Sequence, residues 1–296
     1  MSAPAWIALD WGTTHLRGWA MAADGSVIEA RGSDKGMGAL GPDAFEPALR
    51  ELCDDWLDHG PVPMIACGML GAKQGWAEAA YASVPCPPLS SALTRAPGAF
   101  DVSIIPGLSQ SDPADVMRGE ETQIAGFLAL NPGWDGVLCL PGSHSKWAHI
   151  SAGEVVSFRS FMTGELFAAL SSHTVLRHSI PAEGWDETAF DDGVAETLSR
   201  PERLASALFT IRAADILHGA PGASTRSRLS GLLIGAELAA AKPYWLGQQI
   251  GVIGAGGLGS LYVRALATQG APATQANGTA VTLAGLTAAW KQRTTV

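Results

Sequence analysis

A chain of 296 residues exceeds what one simple core usually holds and suits two domains of ordinary size. Apolar residues make up 47% and charged residues only 16%, with 35 glycines, which excludes a disordered or low-complexity chain. The net charge of −9, with five lysines and fourteen scattered arginines, excludes a general nucleic-acid binder and a protein docked on an anionic membrane.

An anionic substrate must therefore be met by local cations. Cys53, Cys67, Cys86 and Cys139 form no CxxC pair, and Cys67 and Cys139 sit in apolar runs, so all four are expected as reduced thiols. No basic segment precedes an apolar stretch at the N-terminus. The longest apolar run, near Leu232, is broken by Glu237, well short of the roughly 20 residues a membrane span needs. A soluble, cytoplasmic protein without membrane or nucleic-acid partners is expected. Its oligomeric state, monomer or homodimer, is left open.

In chain order, Ala5 to Asp10 reads as a buried strand, Trp11-Gly12-Thr13-Thr14 as a small-residue turn, and Leu16 to Ala22 as a second strand. Asp24-Gly25 marks a hairpin into a third strand at Val27-Ile28. A helix is predicted over Phe45 to Leu57, and strands over Val62 to Cys67 and Val102 to Ile105. A further helix runs from Gly119 to Leu130 and stops at Asn131-Pro132. The opening pattern then returns: strand Val137 to Leu140, turn Pro141-Gly142-Ser143-His144-Ser145, strand Trp147 to Ile150, turn Ala152-Gly153, strand Val155 to Phe161. Helices over Gly164 to Ser172, Pro201 to Leu217 and Leu229 to Ala241, a strand over Gln249 to Ile253 and a closing helix over Leu283 to Gln292 complete an α/β reading with mixed sheets. Two domains are expected, 1–125 and 126–296, with the two small-residue turns facing each other across a cleft.

The turn chemistry suggests phosphate. A carboxylate at a strand end, Asp10, can hold Mg²⁺ through water, while Gly12, Thr13 and Thr14 offer backbone N–H and hydroxyl groups to phosphate oxygens. Arg17 can add charge-assisted bonds to a phosphate or carboxylate; the plainer alternative is a hairpin turn with an exposed arginine. Gly142, Ser143, His144, Ser145 and Lys146 form the matching second grip, and Leu140 and Pro141 before it offer no carboxylate for direct metal contact.

Asp-x-Gly-Thr-Thr at a strand end resembles the first phosphate motif of the actin-like ATPase superfold, the ribonuclease H-like architecture of duplicated βββαβα units. Five ordered blocks narrow the resemblance: residues 10–17, Val116 to Gln123, Pro141 to Trp147, Met162 to Leu166 and Leu229 to Glu237. Together they resemble the 2-dehydro-3-deoxygalactonokinase family over essentially the whole chain. That resemblance implies ATP and Mg²⁺ as cofactors and phosphorylation of 2-dehydro-3-deoxy-D-galactonate at its 6-hydroxyl. Gly119-Glu120-Glu121-Thr122-Gln123 looks like the base-carrying element of related glycerol- and xylulose-type kinases, with Glu120 as the expected base and Glu121 as the alternative. Helix-start acids stabilised by the helix dipole are the competing explanation.

Arg118, beside them, is a candidate for the substrate carboxylate. Gly68, Met69 and Trp76, with Lys73 and Tyr81, are placed at the sugar-acid end, and Thr163, Gly164 and Glu165 follow the second meander. Core packing for Met69 and Trp76, and a helix cap for Thr163, are the bland alternatives. Gly254-Ala255-Gly256-Gly257-Leu258-Gly259 matches a dinucleotide fingerprint, but no Asp or Glu follows Glu237, so that reading fails. Gly254, Gly256 and Gly257 are expected to border adenine and ribose instead. The remaining alternatives are a kinase for another small sugar acid or polyol, and an exopolyphosphatase-type phosphohydrolase on the same fold. A DNA-binding repressor would need a helix-turn-helix ahead of the first strand, where the sequence gives no room.

Overall fold

Strand β1 (Trp6–Trp11) explains why the opening run is apolar almost throughout. Ile7, Leu9 and Trp11 point to one side of the sheet, into a core with Phe45, Leu49 and Leu52. Trp6 and Ala8 point to the other, against Leu286 and Ala289, with Trp6 stacked on Trp290 at 5.2 Å between ring centroids. A strand covered on both faces has no polar side, and Asp10 is the exception at its end. The computed structural model describes residues 3–58, 60–254 and 256–295, the side chains of 294 and 295 excepted.

By packing, the chain divides into two units. The first comprises Met1–Asp135, Ile150–Ser157 and Ala276–Val296, and the second Gly136–His149 and Phe158–Gln275.

In the first unit, β2 (Leu16–Met21) and β3 (Val27–Ser33) complete an antiparallel meander with β1. Helix α1 (Phe45–Cys53) follows, then β4 (Met64–Gly68), which joins β1 in parallel. With β6 (Thr94–Arg95) and β7 (Val102–Ile104) the sheet order is β3-β2-β1-β4-β7-β6. A small second sheet, β5 (Tyr81–Ser83), β8 (Gly107–Ser111) and β9 (Ala114–Met117), leads into α2 (Glu120–Leu130). Helix α9 (Gly278–Thr295) packs on α2 so closely that a Cβ on Gly126 would lie 1.8 Å from the Val281 carbonyl oxygen.

The second unit is built on β10 (Gly136–Leu140), β11 (Ser145–Ser151), β12 (Glu154–Phe161), β13 (Ile250–Ile253) and β14 (Ala273–Ala276), in the order β12-β11-β10-β13-β14. Three consecutive strands followed by a parallel neighbour on the other side of the first repeat the plan of the first sheet. Helices α3 (Thr163–His173), α4 (Glu187–Ser199), α5 (Leu204–His218), α6 (Gly222–Ala240), α7 (Lys242–Trp245) and α8 (Gly257–Ala267) accompany it.

The sequence reading did not include α4. Phe190, Val194 and Leu198 mark its buried face at a four-residue spacing, but Asp191, Asp192 and Glu196 interleave and hide the pattern. Its start carries a local signal, since the Asp186 carboxylate accepts the Ala189 N–H at 3.1 Å. The helix expected over Phe45 to Leu57 ends at Cys53, and Asp54–Leu57 tightens into a 3₁₀ turn. No helix among the described residues is long and apolar enough to cross a membrane.

Candidate active site

In the first unit the β1–β2 register sets Asp10 opposite Arg17, and the β1–β4 register sets Asp10 opposite Cys67. Sequence alone offers Asp10 and Arg17 as separate ligands; folding pairs them. The Arg17 guanidinium forms an ion pair with Asp10 Oδ2 and donates from Nη1 to Thr279 Oγ1 at 3.0 Å. The other carboxylate oxygen meets the Cys67 thiol, a weak donor, at 3.8 Å. A single carboxylate fits a hydrated Mg²⁺ completed by nucleotide phosphates better than a cage made of protein alone. Among the described residues no cluster of three metal-ligating side chains occurs.

The turn after Asp10 is braced from a segment the sequence reading passed over. Gly36 N–H donates to Thr14 O at 3.2 Å, Met37 N–H to Gly12 O at 2.9 Å, and Gly38 N–H to Thr13 O at 2.9 Å. Trp11 Nε1 adds a bond to Lys35 O at 2.9 Å. Gly36 is required for this approach, because a Cβ there would fall 2.2 Å from the Thr14 carbonyl carbon.

Gly119, at φ +109°, turns the chain from β9 into α2, and both acids follow in the first helical turn. They occupy different environments. Glu120 is partly exposed, and its Oε2 accepts the Arg118 backbone N–H at 3.0 Å. Glu121 is fully buried, accepting the Gly119 N–H at 2.6 Å and the Thr122 hydroxyl at 3.0 Å. Burial, and then the neighbouring charge of Glu120, push the Glu121 carboxyl up to about 8.

That shift has a sign in stability. A folded-state value above the ordinary 4.5 means the folded protein holds an extra proton between those pH values. The stabilisation is complete below about pH 4.5 and is lost as the pH rises through about 8. Glu121→Gln keeps the shape of the protonated acid. Its stability is expected to match the parent's at pH 4.5 and to exceed it at pH 8 by at most ~4 kcal/mol, read as a higher melting temperature. Melting curves that stay superimposed at pH 8 would remove the claim.

Arg118 is only 9% exposed. Its Nη2 donates to Ala79 O at 2.7 Å, its Nε to Tyr81 Oη at 3.3 Å, and the Tyr81 ring lies 4.2 Å from the guanidinium carbon. Its Nη1 is buried without a hydrogen-bond partner. Gly68, at φ +98°, closes against the Trp11 carbonyl and runs beside Gly119. Met69 is partly exposed and Lys73 fully so. Trp76 stacks on Phe45 at 6.1 Å and meets Trp11 edge-on at 6.0 Å, which makes it a wall of the core.

In the second unit the β10–β11 turn leaves Ser143 and His144 exposed and turns Ser145 and Lys146 inward. It touches the start of α3: Glu165 N–H donates to Ser143 O at 2.9 Å, and a Cβ on Gly164 would lie 2.3 Å from the Gly142 carbonyl oxygen. His144 Nε2 and Glu165 Oε2 stand 2.6 Å apart at the surface. The hydroxyls of Ser145 and Thr163, read from sequence as ligand groups, both donate to the buried Glu237 carboxylate.

Beside this turn lies a cavity of about 480 Å³ lined in part by Gly142, Ser143, Thr163, Phe167, Trp185 and Arg226. Its volume is within the range of small-molecule sites. The Arg226 guanidinium sits 5.0 Å from the Phe167 ring centre and donates to Pro181 O at 3.1 Å. Leu258, Leu261 and Tyr262 of α8 close another wall. Gly254 accepts from Gln275 Nε2 at 2.8 Å, Gly256 has φ +81°, and α8 starts at Gly257; Ala255 lies outside the described residues. Trp185, Phe167 and Arg226 carried no local motif that would have marked them, and Glu237 closed the block Leu229 to Glu237 without being read as a site residue.

Residues 10–289 match the family described as 2-keto-3-deoxy-galactonokinase. The chain is 39% identical over 294 residues to "Probable 2-dehydro-3-deoxygalactonokinase DgoK1" of Rhizobium meliloti, covering 95% of each chain. It is 35% identical over 284 residues to 2-dehydro-3-deoxygalactonokinase of Escherichia coli, covering 95% of this chain and 96% of that one. A Sinorhizobium meliloti crystal structure described under the same activity name superposes with a TM-score of 0.89 at 38% identity, over 97% of this chain and 96% of that one. At 12% identity and a TM-score of 0.51, the activator of 2-hydroxyisocaproyl-CoA dehydratase from Clostridium difficile shares the fold alone, over 98% of this chain and 97% of that one. The architecture is the actin-like ATPase fold, and the chain belongs to the 2-keto-3-deoxy-galactonokinase family.

Proposed function

We propose that this protein transfers the γ-phosphoryl group of ATP to the 6-hydroxyl of 2-dehydro-3-deoxy-D-galactonate. The observation that carries the proposal is the end-to-end match to relatives named for that reaction. The hydroxyl oxygen bonds to the γ-phosphorus as the bond to the β–γ bridging oxygen breaks, ADP leaves, and the hydroxyl proton passes to Glu120. Support for Glu120 over Glu121 is its partial exposure, against the full burial of its neighbour. Adenosine occupies the cavity beside Trp185 and Leu258, with its phosphates toward Gly142 and Ser143. Asp10 is the residue that would hold Mg²⁺, which supplies charge neutralisation on the phosphates when bound. Arg118, whose Nη1 has no hydrogen-bond partner, is the cation assigned to the substrate carboxylate. A cytoplasmic location follows from the need for ATP and a metabolic sugar acid.

The test is ADP release from ATP with 2-dehydro-3-deoxygalactonate, its gluconate epimer and glycerol as parallel acceptors. Turnover is expected on the galactonate compound. Acceptor-independent release of phosphate would instead establish a phosphohydrolase, and preference for the epimer or glycerol would move the substrate.

A further inference from the structure

Glu237 is a lone carboxylate in the apolar, buried stretch Leu229–Leu238 of α6, and it is 3% exposed. Removing a carboxylate from water is costly, so its surroundings must compensate. They do so without a cation, through four neutral donors. Ser145 Oγ at 2.8 Å, Tyr262 Oη at 2.6 Å and Thr163 Oγ1 all donate to Oε2, while Trp147 Nε1 at 2.8 Å holds Oε1. Burial holds the carboxyl's pKa above its ordinary value, and the four donors offset that only in part.

The donors come from separate walls. Ser145 opens β11 two residues after Ser143. Thr163 begins α3, whose next residue, Gly164, packs on the Gly142 carbonyl. Tyr262 belongs to α8, one turn beyond Leu258, and Thr163 and Tyr262 themselves line the cavity. Only an acceptor-only group can receive three hydroxyl protons on one oxygen, and with Oε1 held by the indole the carboxylate cannot swing. The Thr163 and Tyr262 hydroxyls, having spent their protons, can only accept from a ligand.

We infer that Glu237 is the positioning residue of this cavity: it fixes the spacing between the Gly142–Ser143 turn and the α8 wall, and so governs ligands that span both. The inference rests on the nucleotide reading of the cavity. ADP reaches both walls, whereas adenosine reaches one, so the two ligands separate a spacing defect from general loosening. Titrations of ADP and of adenosine into the intact protein and into Glu237→Gln, with melting curves alongside, test it.

The expected result is an ADP affinity at least tenfold weaker in the variant while adenosine weakens no more than about threefold. The Michaelis constant for ATP should rise, and that for the sugar acid should stay put. An ADP-to-adenosine affinity ratio equal to the parent's overturns the inference and leaves the kinase standing. Parent protein that binds neither ligand overturns the nucleotide reading and this inference with it. Should Glu237→Gln fail to fold, Ser145→Ala and Tyr262→Phe each remove one strut. Each is expected to lower the ratio about threefold, and an unchanged ratio in both is equally fatal.

Discussion

Glu120→Gln is expected to lower kcat by a hundredfold or more while leaving the Michaelis constant for ATP within about threefold of the parent's. A general base contributes on the order of 10²–10⁴ in rate, and the amide keeps the size and the Arg118 N–H bond of the carboxylate without its basicity. The choice between two adjacent acids is physical. Glu121 is sealed from solvent, spends both oxygens on Gly119 and Thr122, and with its carboxyl raised to about 8 is largely protonated at neutral pH. A protonated acid cannot accept the substrate's proton. Glu121→Gln should therefore retain kcat to within about tenfold. The reverse pattern, in which Glu120→Gln stays active and Glu121→Gln does not, would hand the role of base to Glu121.

A second large effect is expected where α2 and α9 cross. Gly285→Ala puts a methyl carbon 1.9 Å from the Thr122 carbonyl oxygen, and Gly126→Ala puts one 1.8 Å from the Val281 carbonyl oxygen. Neither obstacle is a side chain that can rotate away, so α2 and α9 must part along their crossing. Overpacking commonly costs 1–3 kcal/mol, and these contacts with rigid backbone belong at or above the upper end. Each variant should melt roughly 5–10 °C below the parent. The first turn of α2 carries Glu120, and the first turn of α9 carries the Thr279 partner of Arg17, so kcat should fall as well. Calorimetry showing either glycine replaced without a fall in melting temperature would mean the helices have slack that this crossing does not reveal.

The parts of the fold that were legible in the sequence are those set by neighbours along the chain. The two meanders follow from short continuous apolar runs and the Asp24-Gly25 and Ala152-Gly153 turns, and the first small-residue turn follows from its own four residues. What escaped is set by contacts across long separations. Ser145 and Glu237 are 92 residues apart, Thr163 and Glu237 are 74, and Gln123 meets Thr282 over 159. A hydroxyl beside a glycine reads as a ligand group until the fold supplies an internal acceptor, which is what happens at Ser145 and Thr163. Trp185 and Arg226 became cavity walls by the same long-range route, from segments that are unremarkable in isolation. The Gly36 strap was invisible because its role is negative: it supplies the absence of a side chain where Thr13 and Thr14 pass.

That strap gives the first turn a polarity. The carbonyl oxygens of Gly12, Thr13 and Thr14 are each taken by an amide from residues 36–38, so the electron-rich edge of the turn is capped from behind. With the Gly12 N–H donated to His15 O at 2.9 Å, what the turn can still offer an incoming anion is the amide and hydroxyl edge of Thr13 and Thr14. Residues 12–14 and 35–38 are thus one structural piece written in two places. A graft that moves Asp-Trp-Gly-Thr-Thr into another scaffold without its Lys-Gly-Met-Gly partner would carry the letters of the motif and present to a phosphate the repelling side of its own backbone.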